Sequence, residues 1–374
     1  MKKIAIIAPK DSETNGIGSY TRDLSESIER NSEHTKEKIL TEIVHLPHKS
    51  KNPLRYIRAV FQSYQTGDIV HIQHEYGLFG TGAVYMIPFF LSLLIAKKIF
   101  TIPIVITIHE GLNPDLVSGH LQEIKKYYIL FLNGMIVASS DEIIFLSTQS
   151  RDRFQVRSGS VDSQIIPHGS PISQTYNMSK EIARKKLGID TESTLIVQPG
   201  YISKQKGNHL LIEIAEELPE YNFMIAGGTS TSSTPYSEYL RENAPSNLEI
   251  TGHLPEERFH AAFIAGDIAV LPYKTVEMSG IVNRVNQSGI FNWCAAYTLP
   301  VVASDCESFC SINEDWDCIE LAKEGDPSDF SKKIKSLIKS DQHQDYLRER
   351  LRQYRDNHSF RSVASKHDIL YRQL

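Results

Sequence analysis

At 374 residues the chain is long for one hydrophobic core, so two domains are expected. Hydrophobic residues at 41% and charged residues at 23% suit a globular protein, and a formal net charge of −5 argues against a dedicated nucleic-acid binder. Cys294, Cys306, Cys310 and Cys318 form no C-x-x-C pair, and no histidine cluster completes a zinc pattern, which reads as free thiols in a reducing cytosol.

In chain order, MKKIAIIAPK has an apolar run too short for a signal peptide and predicts a first strand at Lys3–Pro9. The loop Asn15–Gly18 comes next, then a helix from about Ser19. Lys38–Leu46, Asp68–Gln73, Pro103–His109, Glu142–Ser147 and Ser163–Pro167 predict further strands. Helical patterns at Pro53–Tyr64, Val84–Phe100 and His120–Ala138 separate them. β-branched runs alternating with helices predict parallel strands joined by right-handed crossovers. Gly169–Ser179 is polar and rich in Gly, Pro and Ser, as a linker is. A short helix at Lys180–Leu187 restarts the alternation. Strands are expected at Thr194–Val197, Asn222–Ala226, Asn247–Thr251, Asp267–Leu271 and Pro300–Ala303, and helices at Asn208–Leu218, Pro255–Ala265 and Pro327–Lys339. From Asp341 onward the tail is charged and helical.

Val84–Ile95 (VYMIPFFLSLLI) is strongly apolar and is followed by Lys97 and Lys98. It falls short of the roughly 20 apolar residues that span a bilayer. Two readings stand: a helix buried against a sheet, or a patch that touches a membrane surface with the lysines at anionic headgroups.

Open parallel sheets bind ligands at the carboxyl ends of their strands, which selects the loops that matter. QPGYISKQKG, at Gln198–Gly207, joins a strand to a helix through Gly200 and ends on Lys206 and Gly207. A fixed cation beside a helix N-terminus suits a phosphate, although the Walker A spacing is absent. Asn15–Gly18 (NGIG) places Gly16 and Gly18 after the first strand, without the G-x-G-x-x-G spacing that would imply NAD. His109, Glu110 and Gly111 end one strand; His74 and Glu75 end another. A histidine there can hydrogen-bond a sugar hydroxyl or help a proton leave an acceptor. His71, inside its strand, reads as structural, and Pro167-His168-Gly169 as a rigid exit from the first domain. Gly227-Gly228 and Gly252-His253 come after two later strands. Gln287-Ser288-Gly289 opens a helix whose backbone N–H groups and serine hydroxyl suit a diphosphate, with Glu277 and Arg284 nearby. Asp315-Trp316-Asp317 follows no strand end and reads as an exposed turn. Glycine loops in both halves predict a ligand shared by two domains; the plain alternative for each is an ordinary strand-to-helix turn.

In this order the motifs resemble a GT-B glycosyltransferase of the retaining type, similar to family 4 (group 1) glycosyltransferases, over nearly the whole chain. NGIG resembles the family's first glycine loop. TIHEG resembles its histidine loop and puts His109 where the family histidine meets the donor sugar. IIPHG resembles its exit motif, at Gly169. PGYISKQKG resembles its G-R-x-x-x-x-K-G segment and matches Lys206 to the diphosphate-binding lysine. IAGG, NLEITGHLPEE, DIAVLPY and LPVVAS resemble the family's later strands and loops, in the same order. Two departures stand out. Tyr201 replaces the family arginine. The glutamates of E-x-x-x-x-x-x-x-E, which in the family contact donor sugar and ribose, fall at Val285 and Trp293, within a chain that reads NQSG.

The resemblance implies an α/β GT-B fold of two Rossmann-like domains facing a central cleft. An acceptor-binding domain is expected at 1–170 and a donor-binding domain at 171–345. A helical segment at 346–374 is expected to pack back toward the first domain. It implies sugar transfer from a nucleotide-diphosphate donor to an acceptor hydroxyl, with retention, no metal and no cofactor beyond the donor itself. The implied donor residues are Gly16, Gly18, Gly200, Tyr201, Lys206, Gly228, Gly252, His253, Glu277, Arg284, Ser288 and Gly289. The acceptor side is His74, Glu75, His109 and Glu110, with His109 and Lys206 carrying the chemistry. The acceptor is expected to be a saccharide or glycolipid, with no nucleic acid as partner and a cytoplasmic location at the inner membrane face, peripheral association running through Val84–Lys98. The missing glutamates keep two other readings open: a non-catalytic sugar-nucleotide-binding scaffold, and a sugar-nucleotide epimerase. Nothing in the sequence selects among UDP-, GDP-, ADP- and dTDP-sugars.

Overall fold

β1 (Lys2–Ala8) shows why the first sheet forms: Ile4 to Ala8 are buried without a polar break. Ala5 and Ile7 enter one apolar cluster, while Ile4, Ile6 and Ala8 enter another. Successive strand side chains point to opposite faces, so an unbroken apolar run marks a strand covered on both. The computed structural model describes residues 1–10, 16–33, 35, 37–48, 50–119, 121–171, 176–229, 234–278, 281–283 and 288–374, with backbone alone at 277–278 and 281–283.

The first unit continues through α1 (Gly16–Ser32), β2 (Ile39–His45), α2 (Pro53–Thr66), β3 (Ile69–His74), α3 (Met86–Ile99), β4 (Ile104–Ile108), α4 (Gln122–Ser139), β5 (Glu142–Phe145), α5 (Thr148–Arg153) and β6 (Asp162–Ile165). Its six strands lie in the order β2-β1-β3-β4-β5-β6, all neighbours parallel. α2 starts where Asn52 Oδ1 accepts the Leu54 N–H and Pro53 fills the first turn, a position that needs no donor. Tyr56 and Val60 of α2, Phe89 and Leu93 of α3, and Leu132 and Ile136 of α4 share one core with Ile106 and Ile108, so these three helices cover one sheet face.

The second unit runs through α6 (Lys180–Leu187), β7 (Leu195–Pro199), α7 (Asn208–Glu217), β8 (Asn222–Ala226), α8 (Pro235–Asn243), β9 (Leu248–Ile250), α9 (Glu256–Ala265), β10 (Ile268–Leu271), β11 (Val276–Met278), α10 (Gly289–Ala296), β13 (Val301–Ser304), α11 (Glu307–Trp316), β14 (Glu320–Ala322), α12 (Pro327–Ile338) and α13 (Asp341–Asn357); β12 (Ile281–Asn283), between β11 and α10, counts mostly with the first unit, and α14 (Phe360–Gln373) ends the chain. Its sheet has the order β14-β13-β10-β7-β8-β9, again with parallel neighbours. Strand order reverses between β7 and β10 here, and between β1 and β3 in the first sheet. Ligands of such sheets bind at these switch points, outside the carboxyl ends.

The division differs from the expected one at the tail. Met1–Gly169, Ser279–Val282 and Phe360–Leu374 form one unit, and Ser170–Met278 with Asn283–Ser359 the other. The expected boundary at 346 cuts through α13, whose Leu347, Leu351 and Tyr354 are buried in the cores of the second unit. Of the tail, only α14 joins the first unit, where Val363, Ala364 and Tyr371 pack on the sheet face opposite α2–α4. α1 begins at Gly16, three residues before the expected Ser19, so Gly16 and Gly18 lie in its first turn rather than in a loop. Asn15 lies outside the described residues. Asp315-Trp316-Asp317 is the end of α11, with Asp317 in the left-handed conformation (φ 46°).

Candidate functional site

Lys206 ends a short turn at the carboxyl end of β7, beside the switch point of the second sheet. Ser203 Oγ accepts the Lys206 N–H at 3.3 Å, and Gln198 Nε2 donates to the Lys206 carbonyl at 2.7 Å. The backbone is thus fixed from both sides. Across the switch point, Tyr273 follows β10. The Lys206 ammonium donates to the Tyr273 hydroxyl at 2.5 Å and lies 3.9 Å from the ring centroid. The Tyr273 hydroxyl is 3.1 Å from Ser288 Oγ, which accepts the Phe291 N–H at 3.1 Å and caps α10. With Lys206 charged, its proton occupies the tyrosine oxygen, so Tyr273 donates onward and Ser288 keeps its own hydroxyl hydrogen for another acceptor.

Burial pushes the Lys206 pKa down to about 7, and no carboxylate among the described residues pairs with it. A desolvated cation without a counter-ion is costly by itself and is offset by an incoming anion. Burial likewise pushes up Tyr273 and the neighbouring Cys294 thiol, so neither competes for a proton near neutrality.

Glycines clear the approach. Gly207 enters α7 at φ 65°, and a Cβ there would sit 1.9 Å from the Pro272 carbonyl oxygen. A Cβ on Gly227 (φ 152°) would fall 2.2 Å from the Gly200 oxygen. Gly228 abuts the His253 backbone, and Ile202 N–H donates to the Gly228 carbonyl at 2.9 Å. The ends of β7, β8 and β9 are thus stitched into one surface that has no room for side chains.

In the first unit, His109 follows β4, and its N–H donates to the His74 carbonyl at 2.9 Å. Its Nε2 is 2.8 Å from Gln73 Oε1. A carbonyl oxygen accepts only, so Nε2 carries the hydrogen and Nδ1 presents a lone pair. Gln73 Nε2 in turn reaches His71 Nε2 at 3.3 Å, and His71 Nδ1 donates to the Tyr371 hydroxyl at 2.5 Å. Desolvation, with His168 and His74 adding to it, lowers His109 to about 3, so it acts as a neutral ring at physiological pH. Tyr20 packs edge-on to it at 5.1 Å. Beside it, burial and the Glu75 charge raise Glu110 to about 7, while Arg153 pulls it back. Burial raises Glu75 too.

The structure brings Lys206, Ser288 and Gly289 together through Tyr273, the last residue of DIAVLPY, which the sequence reading did not single out for the site. The available signal was its place after β10, next to β7 in a reversed strand order. His74 departs from the expected acceptor role. It is fully buried between Tyr76, Phe79 and Phe90, neither ring nitrogen has a partner among the described residues, and burial lowers its pKa to about 3. It packs in the aromatic core of the first unit. Tyr201 is exposed, and Gly252 (φ 70°) turns the chain before His253. Arg284 and the Glu277 side chain lie outside the described residues, as does Val285. Trp293, the other position matched to a family glutamate, sits among His260, Phe263 and Tyr297. Among the described residues, no group of three or more His, Cys, Asp or Glu could hold a metal ion. A hollow of about 880 Å³ lined by Tyr176, Asp267, Pro300 and Arg352 lies at the amino ends of β10 and β13, the wrong end of the sheet for this site.

The fold recurs in solved structures. HepE from Anabaena, in complex with UDP and glucose, superposes with a TM-score of 0.76 at 14% identity over 100% of each chain. Sucrose-phosphate synthase from Thermosynechococcus elongatus does so with a TM-score of 0.72 at 15% identity, over 100% of this chain and 99% of that one. The chain has the GT-B fold. Residues 179–354 match the family model for glycosyl transferases group 1, so the second unit carries a group 1 glycosyl transferase domain. A curated relative, alpha-galactosylglucosyldiacylglycerol synthase from Streptococcus pneumoniae, is 33% identical over 93 residues, 24% of this chain and 25% of the relative. The chain spans between a quarter and about half the length of the curated relatives it matches.

Proposed function

We propose that the chain is a hexosyltransferase-type glycosyltransferase that moves a sugar from a nucleotide-diphosphate donor to an acceptor hydroxyl. The observation that carries the reading is the desolvated Lys206, bonded to Tyr273 at the switch point within the matched family segment. Breaking the bond between the anomeric carbon and the diphosphate leaves negative charge on the departing group. A preorganised cation, a serine hydroxyl and a helix N-terminus oppose that charge without reorganising. Lys206, Ser288 and Gly289 supply these, with Gly16 and Gly18 of α1 in the first unit as further backbone contacts. The glycine ends of β7, β8 and β9 would admit the donor, with Tyr201 and His253 beside them. His109, neutral and oriented by Gln73, offers an Nδ1 lone pair to a sugar hydroxyl. Glu75 and Glu110 are assigned to acceptor hydroxyls.

Donor binding thus falls to the second unit and acceptor binding to the first, with retention at the anomeric carbon and no metal. HepE's complex with UDP supports a nucleotide sugar as donor. The acceptor class is a saccharide or glycolipid. The pneumococcal relative, named for a glycosylated diacylglycerol, supports the glycolipid reading. A glycolipid acceptor goes with a cytoplasmic protein working at the inner face of the membrane and attached peripherally through the apolar run and lysines of Val84–Lys98. No helix of the described residues is long and apolar enough to cross a membrane.

The lysine sets a pH test. With the unliganded pKa at about 7, an anionic ligand favours the charged form and binding takes up a proton above neutrality. Affinity for a nucleotide sugar, whose diphosphate diester does not titrate here, should fall about fivefold from pH 7 to pH 8. Isothermal titration in buffers of different ionisation enthalpy should show proton uptake at pH 8. Affinity flat from pH 6 to pH 9 would remove Lys206 from the site.

A further inference from the structure

α3 is apolar around its whole circumference, a pattern of helices buried on every side, yet one side is open. Leu91 (49% exposed), Ile95 (55%) and Ile99 (64%) recur every four residues and form a single outward stripe. α4 packs beside α3 and has its own stripe: Ile124, Tyr127 and Phe131 are 63%, 57% and 52% exposed. Of the eighteen large apolar side chains left exposed among the described residues, ten fall between Leu54 and Phe131, so the exposure is concentrated on the α2–α3–α4 layer and its loops. At the turn into α4, Leu121 is held at φ 66° and is itself 63% exposed. A left-handed leucine costs about 1–2 kcal/mol, which the fold bears without burying the side chain.

Charge follows the same surface. Pro47–Ile102 contains six basic residues (Lys49, Lys51, Arg55, Arg58, Lys97 and Lys98) against Asp68 and Glu75, in a chain whose net charge is −5. Asp68 accepts the Lys3 backbone N–H, and Glu75 lies at the end of β3 rather than on α2 or α3, so the basic residues outnumber the acidic ones on these helices. Lys97 is paired with Asp141. Lys51, Arg55, Arg58 and Lys98 are exposed, and none makes an ion pair with a described residue. On α4, Lys126 is paired with Asp115, and Glu123 is acidic.

We propose that the outer face of the α2–α3–α4 layer docks on an anionic lipid bilayer. Leu91, Ile95, Ile99, Ile124, Tyr127 and Phe131 enter the boundary between headgroups and acyl chains. Arg55, Arg58 and Lys98 meet the phosphates. This deepens the glycolipid-acceptor reading and rests on it for its purpose, since a surface-bound enzyme meets its acceptor in two dimensions. An apolar stripe with flanking cations gives both parts of interfacial binding, burial and electrostatic attraction. A second copy of the chain would carry the same cations and repel itself there.

Co-sedimentation of the full chain with phosphatidylcholine vesicles, with and without 30% phosphatidylglycerol (about one lipid in three), tests this without any donor present. The chain should pellet with the anionic vesicles and stay largely in solution with neutral ones. Leu91→Ser with Ile95→Ser, exposed positions that leave the core intact, should cut partition at least tenfold, and Arg55→Glu with Arg58→Glu should do the same. Equal binding to neutral vesicles, undiminished binding by both double variants, or a dimer broken by the serine variant without vesicle binding would each overturn the proposal. Nucleotide-sugar cleavage in solution, measured on the same variants, separates the two readings. Unchanged cleavage with lost partition supports the docking face. Partition by a chain that cleaves no donor leaves the face standing and removes the transferase reading.

Discussion

Lys206→Ala will lower donor turnover by more than tenfold. A charge-assisted contact is worth about 1.5–3 kcal/mol and each tenfold in rate about 1.4 kcal/mol, so the loss should lie between about 10- and 150-fold. Lys206→Met, which keeps most of the packing and removes the charge, should behave alike. The fold should tolerate both. An unpaired desolvated ammonium is a cost to the unliganded protein, so its removal should leave thermal stability nearly unchanged despite the lost contact with Tyr273. Initial rates and melting curves on the same preparations separate a lost contact from a lost fold. Turnover equal to that of the unmodified chain would remove the lysine from the chemistry.

The second large effect is acid sensitivity of the first unit. His71, His74 and His367 are fully buried, and burial holds all three below the ordinary histidine range, His74 at about 3 and His367 at about 4. Their folded pKa values lie below the unfolded one, so the unfolded chain binds protons first as pH falls. Stability is therefore intact above about pH 6.5 and is lost below it. By pH 5 each neutral buried ring withdraws about 2 kcal/mol, a large part of a stability of about 5–15 kcal/mol for the three together. Melting temperature should drop by more than about 10 °C between pH 7 and pH 5. His74→Leu, which swaps an unpartnered ring for an apolar side chain in an aromatic nest, should flatten that slope. A melting temperature independent of pH over this range would contradict the burial of these rings as neutral groups.

The strand-and-helix alternation was legible because both sheets are parallel and covered on both faces. Runs such as IAIIA and IVITI are continuous there, and the covering helices supply the contrast between them. The position of Lys206 was legible because the glycine turn after Gln198 ends a strand and Asn208 opens a helix, which sets the lysine at the carboxyl end of β7. Tyr273 was not, because its partners lie 67 and 15 residues away and meet only through the strand order. His74 lies deeper than its place at a strand end suggests, for a related reason. A strand end is a position on the sheet, and whether it faces solvent depends on what covers it, here Tyr76, Phe79 and Phe90. α11 escaped notice because ESFCSINEDW buries little more than Ser308 and Phe309, too few for a periodic stripe. α1 began earlier than expected because glycines were read as a loop, although Gly16 opens the helix with nothing within 4 Å of its would-be Cβ.

The central claim is that the second unit holds a nucleotide sugar through Lys206. It is tested most directly by incubating the purified chain, beside Lys206→Ala, with UDP-, GDP-, ADP- and dTDP-sugars and measuring release of the nucleoside diphosphate. The predicted result is release from one of these donors by the unmodified chain, reduced more than tenfold in the variant. Release from none of the four, or equal release by both proteins, would contradict it.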